Sequence, residues 1–351
     1  MIAAIFAYSS QGMETARRVR QGLTGMQTHC FAPQRLADGD FEGIPKPSQS
    51  FYGEWFSQAE VLIFVGSCGI AVRQIAPYVY SKTSDPAVLC LDELGKFVIP
   101  LLSGHIGGAN ALARELSKEL GATAVITTAT DINGRFSVDA WAAERRFSIS
   151  SMQAAKAVSS AILEGDVPLK SDFPIAGNLP SGVIPGERGK VGIFLTYGTE
   201  EPFDTTLRLL PKVLHLGIGC RKGIPAQTIE DVVTQVLRQH HIDRRSIARV
   251  ASIDRKAQEP GLLEFCEKNH WQAVFYTAQE LSQVGGAVSF SSFVESVVGV
   301  DNVCERAALM EADNLIVNKT ARDGVTVALA LKSMEVQFGE TVCGGHWPRK
   351  L

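Results

Sequence analysis

The sequence predicts an α/β protein: two α/β domains with mostly parallel sheets, joined by a small middle region. Three observations carry that expectation. Short apolar runs, Gly/Ser loops and amphipathic stretches alternate over the first 135 residues; the alternation resumes at Val213; between them, from about Asn133 to Pro211, it weakens. The domains are therefore drawn at 1–135, 136–211 and 212–351. A length of 351 residues fits two or three units, and 45% apolar with 20% charged residues supplies ordinary cores.

Taken in order, Ile2–Ala7 reads as a strand, Ser9-Ser10-Gln11-Gly12 as a loop and Met13–Leu23 as a helix. Val61–Val65 is followed by Gly66-Ser67-Cys68-Gly69 and a helical segment over Ala71–Tyr80. Ala87–Leu91, the turn Glu93-Leu94-Gly95-Lys96 and Phe97–Leu102 form a predicted hairpin. The loop Ser103-Gly104-His105-Ile106-Gly107-Gly108 then opens a helix from Ala109 to Leu120, whose core face is Ala109, Leu112, Ala113, Leu116 and Leu120. Ala124–Thr128 reads as a closing strand. In the middle region only a helix over Ser148–Glu164 and a strand over Val191–Thr196 stand out, in a Pro/Gly-rich setting that reads as partly a linker. The last domain reads as strand Val213–Gly217, Gly-rich loop Gly217–Gly223, helix Ala226–Gln239, strand Ala248–Ile253, helix Gly261–Asn269, strand Ala273–Tyr276, helix Ser291–Val298 and strand Val325–Lys332, with a loosely ordered tail from Glu340.

Several functions are set aside early. With 34 basic against 37 acidic side chains and a net charge of −3, the chain lacks the basic excess of a nucleic-acid binder. The apolar start Met1–Ala7 lacks a basic flank and turns polar by Ser9, so it reads as a strand rather than a signal peptide. No run approaches 18 apolar residues, so no membrane span is expected. The seven cysteines, Cys30, Cys68, Cys90, Cys220, Cys266, Cys304 and Cys343, are scattered and form no C-x-x-C pair, which suits a reduced cytoplasmic protein. The seven histidines form no H-E-x-x-H, and G-x-S-x-G is absent, so neither a resident catalytic metal nor a serine triad is expected.

The chemistry is expected in loops that lead from strands into helices, where amide N–H groups and helix dipoles favour carboxylates or phosphates. His105 lies among three glycines at such a turn, and imidazole suits proton transfer near neutral pH. The same residue would also fit a capping or backbone-bonding role. Arg73, after Gly69, is placed to fork onto a carboxylate, or else is a solvated helix arginine. Asp131, after Thr128, is placed to orient His105 or replace it as base, or to cap a turn. In Gly217-Ile218-Gly219-Cys220-Arg221-Lys222-Gly223, two cations beside glycines suggest a carboxylate cradle, although the motif is neither a complete G-x-G-x-x-G nor a Walker loop. Cys220 reads as a small hydrophobe more readily than as a nucleophile.

The stretches Gly69–Pro77, Lys82, Asp85–Val88, Leu101–Asn110 and Ile126–Asp131 resemble the amino-terminal domain of the cobalt-precorrin-5A hydrolase (CbiG) family, and Gly217–Gly223 resembles the signature of its carboxy-terminal domain. The likeness covers roughly residues 60–140 and 213–332; the tail Glu340–Leu351 departs from it. The resemblance implies an anionic cobalt tetrapyrrole as substrate, bearing a δ-lactone that the enzyme opens with water before expelling acetaldehyde to give cobalt-precorrin-5B. It implies no cofactor, since the cobalt is carried by the substrate. A homodimer and transient contacts with neighbouring pathway enzymes are compatible with it. On this reading His105 and Asp131 are catalytic, with axial ligation of cobalt a rival role for His105. Gly69, Arg73, Lys82, Ser103, Gly104, Gly107, Gly108, Asn110, Thr128, Gly219, Arg221 and Lys222 are expected to bind substrate, the amides of Gly104, Gly107 and Gly108 holding the lactone oxyanion. The alternative is a tetrapyrrole carrier without catalysis; an unrelated α/β enzyme acting on a phosphorylated substrate stands below it.

Overall fold

The runs Ile2–Ala7, Val61–Val65 and Ala87–Leu91 hold no charged or amide side chain to turn toward water, so both faces of each strand must be covered. The computed structural model, which describes residues 1–81, 84–105, 107–285 and 302–338, meets that demand. Among the described residues, contacts divide the chain into a unit of Met1–Arg146 with Ile162–Glu164, and a second of Phe147–Ala161 with 165–338.

The first unit contains strands β1 (Ile2–Ala7), β2 (Gln27–Pro33), β3 (Glu42–Ile44), β4 (Val61–Val65), β5 (Ala87–Leu91), β6 (Phe97–Leu102) and β7 (Thr123–Ala124), in the sheet order β3-β2-β1-β4-β5-β6-β7. Its helices are α1 (Ser10–Gly22), α2 (Gln49–Gln58), α3 (Cys68–Ile75), α4 (Ala109–Leu120), α5 (Ala129–Ile132) and α6 (Val138–Glu144). The period-2 alternation divides each central strand between two cores. Ala3, Ile5, Ile63, Val65, Leu89 and Leu91 pack with Met13, Ala16 and Val19 of α1 and Leu112, Ala113 and Leu116 of α4. Ala4, Phe6, Leu62, Phe64, Val88 and Cys90 pack with Tyr52 and Phe56 of α2 and Ala71 and Ile75 of α3. Each fully buried Leu, Ile or Phe contributes about 1.5–3 kcal/mol, so this two-sided burial fixes the sheet.

One reversal decides where the loops emerge. β1, β4 and β5 are mutually parallel, but β5 and β6 form an antiparallel hairpin in which Leu102 lies opposite Val88 and Val98 opposite Leu91. β7 runs parallel to β6. The loop after β6 therefore leaves the sheet at the edge where β4 and β5 begin, not at the edge where they end. The loops after β4 and β6, both expected to carry substrate-binding residues, therefore emerge at opposite edges of the sheet. The expected strand Ala124–Thr128 is also shorter: pairing covers Thr123–Ala124, plus one bond from the Val125 amide to Val98.

The second unit begins with β8 (Ser148–Ile149), α7 (Met152–Glu164, whose last residues Ile162–Glu164 go with the first unit), β9 (Val167–Ser171), β10 (Ile175–Ala176), β11 (Val183–Pro185), β12 (Val191–Leu195) and β13 (Thr205–Leu210). Five of these strands form the sheet β11-β9-β12-β13-β8, parallel except for β8. The remainder is β14 (Leu214–Cys220), α8 (Ala226–Gln239), β15 (Ile247–Ile253), α9 (Pro260–Lys268), β16 (Gln272–Tyr276), α10 (Ala278–Gln283), α11 (Val303–Leu309), β17 (Asn314–Arg322), β18 (Val325–Leu331) and β19 (Val336–Gln337). Here the order is β16-β15-β14-β18-β17, with the first three parallel and the last two antiparallel, while β19 pairs with β10. Asp243 links the two larger sheets of this unit, taking bonds from Arg208 of β13 at 2.8 Å and from Arg245 at 2.6 Å. The expected helix Ser291–Val298, the tail from Glu340, Lys82 and Ile106 lie outside the described residues. Among those described, no helix is long and apolar enough to cross a membrane.

Candidate functional site

The loop between β6 and α4 is tied down by its own backbone. The Ala109 and Asn110 amides donate to the carbonyls of Ser103 and Gly104 at 3.1 and 2.9 Å, and the Gly108 amide donates to the His105 carbonyl at 2.9 Å. Gly108 adopts φ 80 at the start of α4, a left-handed conformation that costs glycine little. Ser103 adopts φ 55 without that freedom, and its hydroxyl donates to the Asp85 carbonyl at 3.0 Å. A Cβ on Gly107 would sit 2.4 Å from that of Ser103, so the turn closes only on glycine. The Asn110 side chain closes against Gly104. Among the described residues the amides of Gly104 and Gly107 have no protein acceptor, whereas the Gly108 amide is committed.

This turn presents His105 between two carboxylates. Its Nε2 lies 2.7 Å from Asp131 Oδ2, and its Nδ1 lies 3.2 Å from Asp139 Oδ1. Thr130 Oγ1 is 3.3 Å from Nε2. Asp131, in the first turn of α5, accepts from Asn110 at 3.0 Å, from Thr128 at 2.5 Å and from Arg114 at 2.5 Å. Asn110 also donates to Thr128 at 2.9 Å. Asn110 and Arg114 stand one turn apart on α4 and so share the face turned to Asp131. Asp139, in the first turn of α6, further accepts from the Ser137 hydroxyl and the Ala140 amide, each at 3.0 Å.

The electrostatics follow from these partners. Burial lowers the His105 pKa, but the bonds to Asp131 and Asp139 outweigh it and lift the value from 6.5 to about 9. The charged ring is thus the favoured form at neutral pH, with a carboxylate facing each nitrogen. Burial raises Asp131, yet His105, Arg114 and Thr128 together hold it well below the usual carboxylate range. Asp139 shows the same balance, burial being outweighed by His105, Ser137 and the Ala140 amide. Side-chain exposures of 18% for His105, 14% for Asp131 and 11% for Asp139 leave the group screened but reachable. Asp131, saturated by donors, is built to orient rather than to accept another proton.

A family model described as Cobalamin synthesis G N-terminal matches residues 50–131, and one described as Cobalamin synthesis G C-terminus matches residues 214–330. A cobalt-precorrin-5A hydrolase of Salmonella typhimurium is 31% identical over 343 residues, spanning 93% of this chain and 97% of its own length. The chain belongs to the cobalamin synthesis G family. A cobalt-precorrin-5A hydrolase of Priestia megaterium is 29% identical over 357 residues, spanning 93% of this chain and 94% of its own. A solved cobalamin biosynthesis protein G homolog from Sulfolobus solfataricus is 22% identical with a TM-score of 0.41, covering 94% and 97% of the two chains. Family membership assigns the chain a role in cobalamin synthesis.

Within the N-terminal cobalamin synthesis G region, the structure brings His105, Asp131, Ser103, Gly104, Gly107, Gly108, Asn110 and Thr128 to one place. It does not bring Gly69 and Arg73 there. They belong to α3, which begins after Val65 at the opposite sheet edge, and the Arg73 guanidinium folds back onto the Gly69 carbonyl at 3.3 Å. Lys82 lies outside the described residues.

In the C-terminal cobalamin synthesis G region, Gly217 and Gly219 are strand rather than loop, because β14 runs on to Cys220 and pairs with β18 throughout. A Cβ on Gly217 would stand 1.9 Å from the Cys304 carbonyl, and one on Gly219 would stand 2.5 Å from Thr326 Oγ1. Both glycines thus serve close packing. Arg221 and Lys222 are exposed just beyond the strand. The Gly223 amide is already taken by Glu259 at 2.7 Å, a carboxylate that Lys256 also holds at 2.9 Å. Burial pushes the Cys220 thiol up, disfavouring a thiolate.

Two residues of the site escape a reading of motifs: Arg114 and Asp139. Arg114 carried a signal, its spacing of four from Asn110 on a helix. Asp139 lies beyond the matched 50–131 region and is delivered only by the turn between α5 and α6.

Proposed function

We propose that this chain hydrolyses the δ-lactone of cobalt-precorrin-5A and releases acetaldehyde, giving cobalt-precorrin-5B. The observation that carries the reading is His105, its ring between the Asp131 and Asp139 carboxylates, held at a glycine turn whose Gly104 and Gly107 amides have no protein acceptor among the described residues. The names of the relatives supply the substrate class. The cobalt belongs to the substrate, and the proton chemistry is assigned to the first unit alone.

The charge on His105 gives it the role of acid first. Water adds to the lactone carbonyl carbon while the Gly104 and Gly107 amides hold the oxyanion. The ring C–O bond then breaks, and the departing oxygen takes a proton from His105. Both protons of the attacking water pass to solvent, leaving the new acid as carboxylate. His105, now neutral, removes the proton of the freed hydroxyl as the adjacent carbon–carbon bond breaks. Acetaldehyde departs, the conjugated macrocycle receives the electron pair, and His105 regains its charge. Asp131 orients the ring throughout, as its four donors suit it to do. The longer bond, to Asp139 at 3.2 Å, is the one a lactone oxygen replaces. Ligation of cobalt by His105 would require both the loss of one carboxylate bond and a neutral ring, which supports the acid role over the axial one.

Purified protein supplied anaerobically with the lactone should release acetaldehyde with turnover. His105→Ala should lower kcat by about 10²–10⁴-fold, the range of a lost general acid–base group. Stoichiometric binding of the macrocycle without acetaldehyde would sink the hydrolase reading and leave a carrier.

A further inference from the structure

Asp139 is a buried carboxylate outside the motifs that mark this site, yet it faces the one ring nitrogen that Asp131 leaves uncovered. We propose that Asp139 is a positioning residue for His105: it fixes Nδ1 as an N–H donor and keeps the ring charged until a substrate oxygen takes its place.

The argument rests on how the groups around the ring divide their work. From α5, Asp131 covers Nε2 at 2.7 Å, with Thr130 beside it at 3.3 Å. From α4, Arg114 and Asn110 bind Asp131 and so spend part of its negative charge away from the ring. A neutral imidazole bonded only to Asp131 would need a single N–H, and its Nδ1 would carry a lone pair. Asp139 forbids that state, because a carboxylate facing a lone pair at 3.2 Å repels it, whereas one facing an N–H binds it. Asp139 is itself aimed by its neighbours: the Ser137 hydroxyl and the Ala140 amide both donate to the oxygen that faces His105. Its place in the first turn of α6 completes the alignment. The site therefore holds two carboxylates of unlike duty. Asp131 is pinned by four donors and persists; Asp139 is pinned on one oxygen and supplies the second negative charge.

This inference rests on His105 acting as a proton donor in the proposed reaction, and its test separates the two. The ring nitrogens of His105 would be followed by NMR of labelled protein across pH 5–11, in the native chain, Asp139→Asn and Asp139→Glu. The native ring should carry protons on both nitrogens at pH 7. Asp139→Asn should lower the titration midpoint by about one unit or more, the usual effect of one charged partner, and Asp139→Glu should restore most of it. The alkaline limb of kcat for acetaldehyde release should move down by the same interval, while KM at pH 7 stays within about twofold of native, since Asp139 makes no lasting contact with substrate. An unchanged midpoint in Asp139→Asn would overturn the proposal, as would a midpoint that moves while the kcat limb stays. Should Asp139→Asn fail to fold, a neutral single-tautomer ring in the native protein at pH 7 would overturn it equally. A native protein that releases no acetaldehyde would refute the assigned reaction, and the NMR midpoints would still judge Asp139.

Discussion

An imidazole pressed between two carboxylates couples the stability of its site to pH. His105 binds its proton with a pKa of about 9 in the fold against 6.5 ordinarily. Its contribution is therefore complete below 6.5 and is lost as pH rises through about 9. Asp131 and Asp139 are shifted the other way, so their contribution is present above the ordinary value of 3.8 and is lost as pH falls through their lowered values. The three groups share the same bonds, so one figure covers them, on the order of 2–3 kcal/mol. Thermal unfolding of the native chain should show a Tm plateau between about pH 5 and 6.5 and a fall from there to about pH 9, and His105→Gln should flatten that fall. An identical alkaline fall in both proteins would show that His105 is not the titrating group. His105 and Asp131 were legible from loop placement and residue type alone. Asp139 was not, because nothing local distinguishes it from a solvated aspartate; only the fold turns it inward.

At the scale of elements, the hairpin β5–β6 decides more than any single motif. The turn Glu93-Leu94-Gly95-Lys96 predicts the reversal, and the reversal sends the next loop out by the opposite edge. The sequence announces the hairpin, but only the pairing of β4, β5 and β6 shows that Arg73 and His105 lie at opposite edges. Because Arg73 sits at the other edge and binds Gly69, Arg73→Ala should leave kcat/KM within about threefold, less than a direct charged contact to substrate supplies. A loss of a hundredfold in steady-state kinetics would place Arg73 on the substrate after all. The glycines of β14 make the complementary lesson. Gly217 was read as the start of a ligand loop, but α11 lies across it with backbone atoms at 1.9 and 2.8 Å from where a Cβ would be. Those atoms cannot rotate aside, so Gly217→Ala should cost at least about 3 kcal/mol in urea unfolding. An unchanged midpoint would mean that α11 is not packed as described.

For the whole molecule, two α/β units with mostly parallel sheets were legible because their apolar runs are long and free of polar interruption. The stretch before Pro211 was less so. Its strands β9, β11 and β12 are only 5, 3 and 5 residues long and are broken by Pro and Gly, leaving too few residues for a period to show. Its sheet is held by partners far along the chain, such as Asp243 for Arg208, which local pattern does not reveal. The reaction assigned to the molecule hangs on one event, the loss of a two-carbon fragment after lactone opening. The decisive measurement is acetaldehyde release from the cobalt-precorrin-5A lactone under anaerobic conditions, comparing the native chain with His105→Ala. Many equivalents per protein from the native chain, and at most about a hundredth of that rate from the variant, are the predicted result. Equal rates from both would contradict His105 as the proton donor, and no release from the native chain would contradict the hydrolase itself.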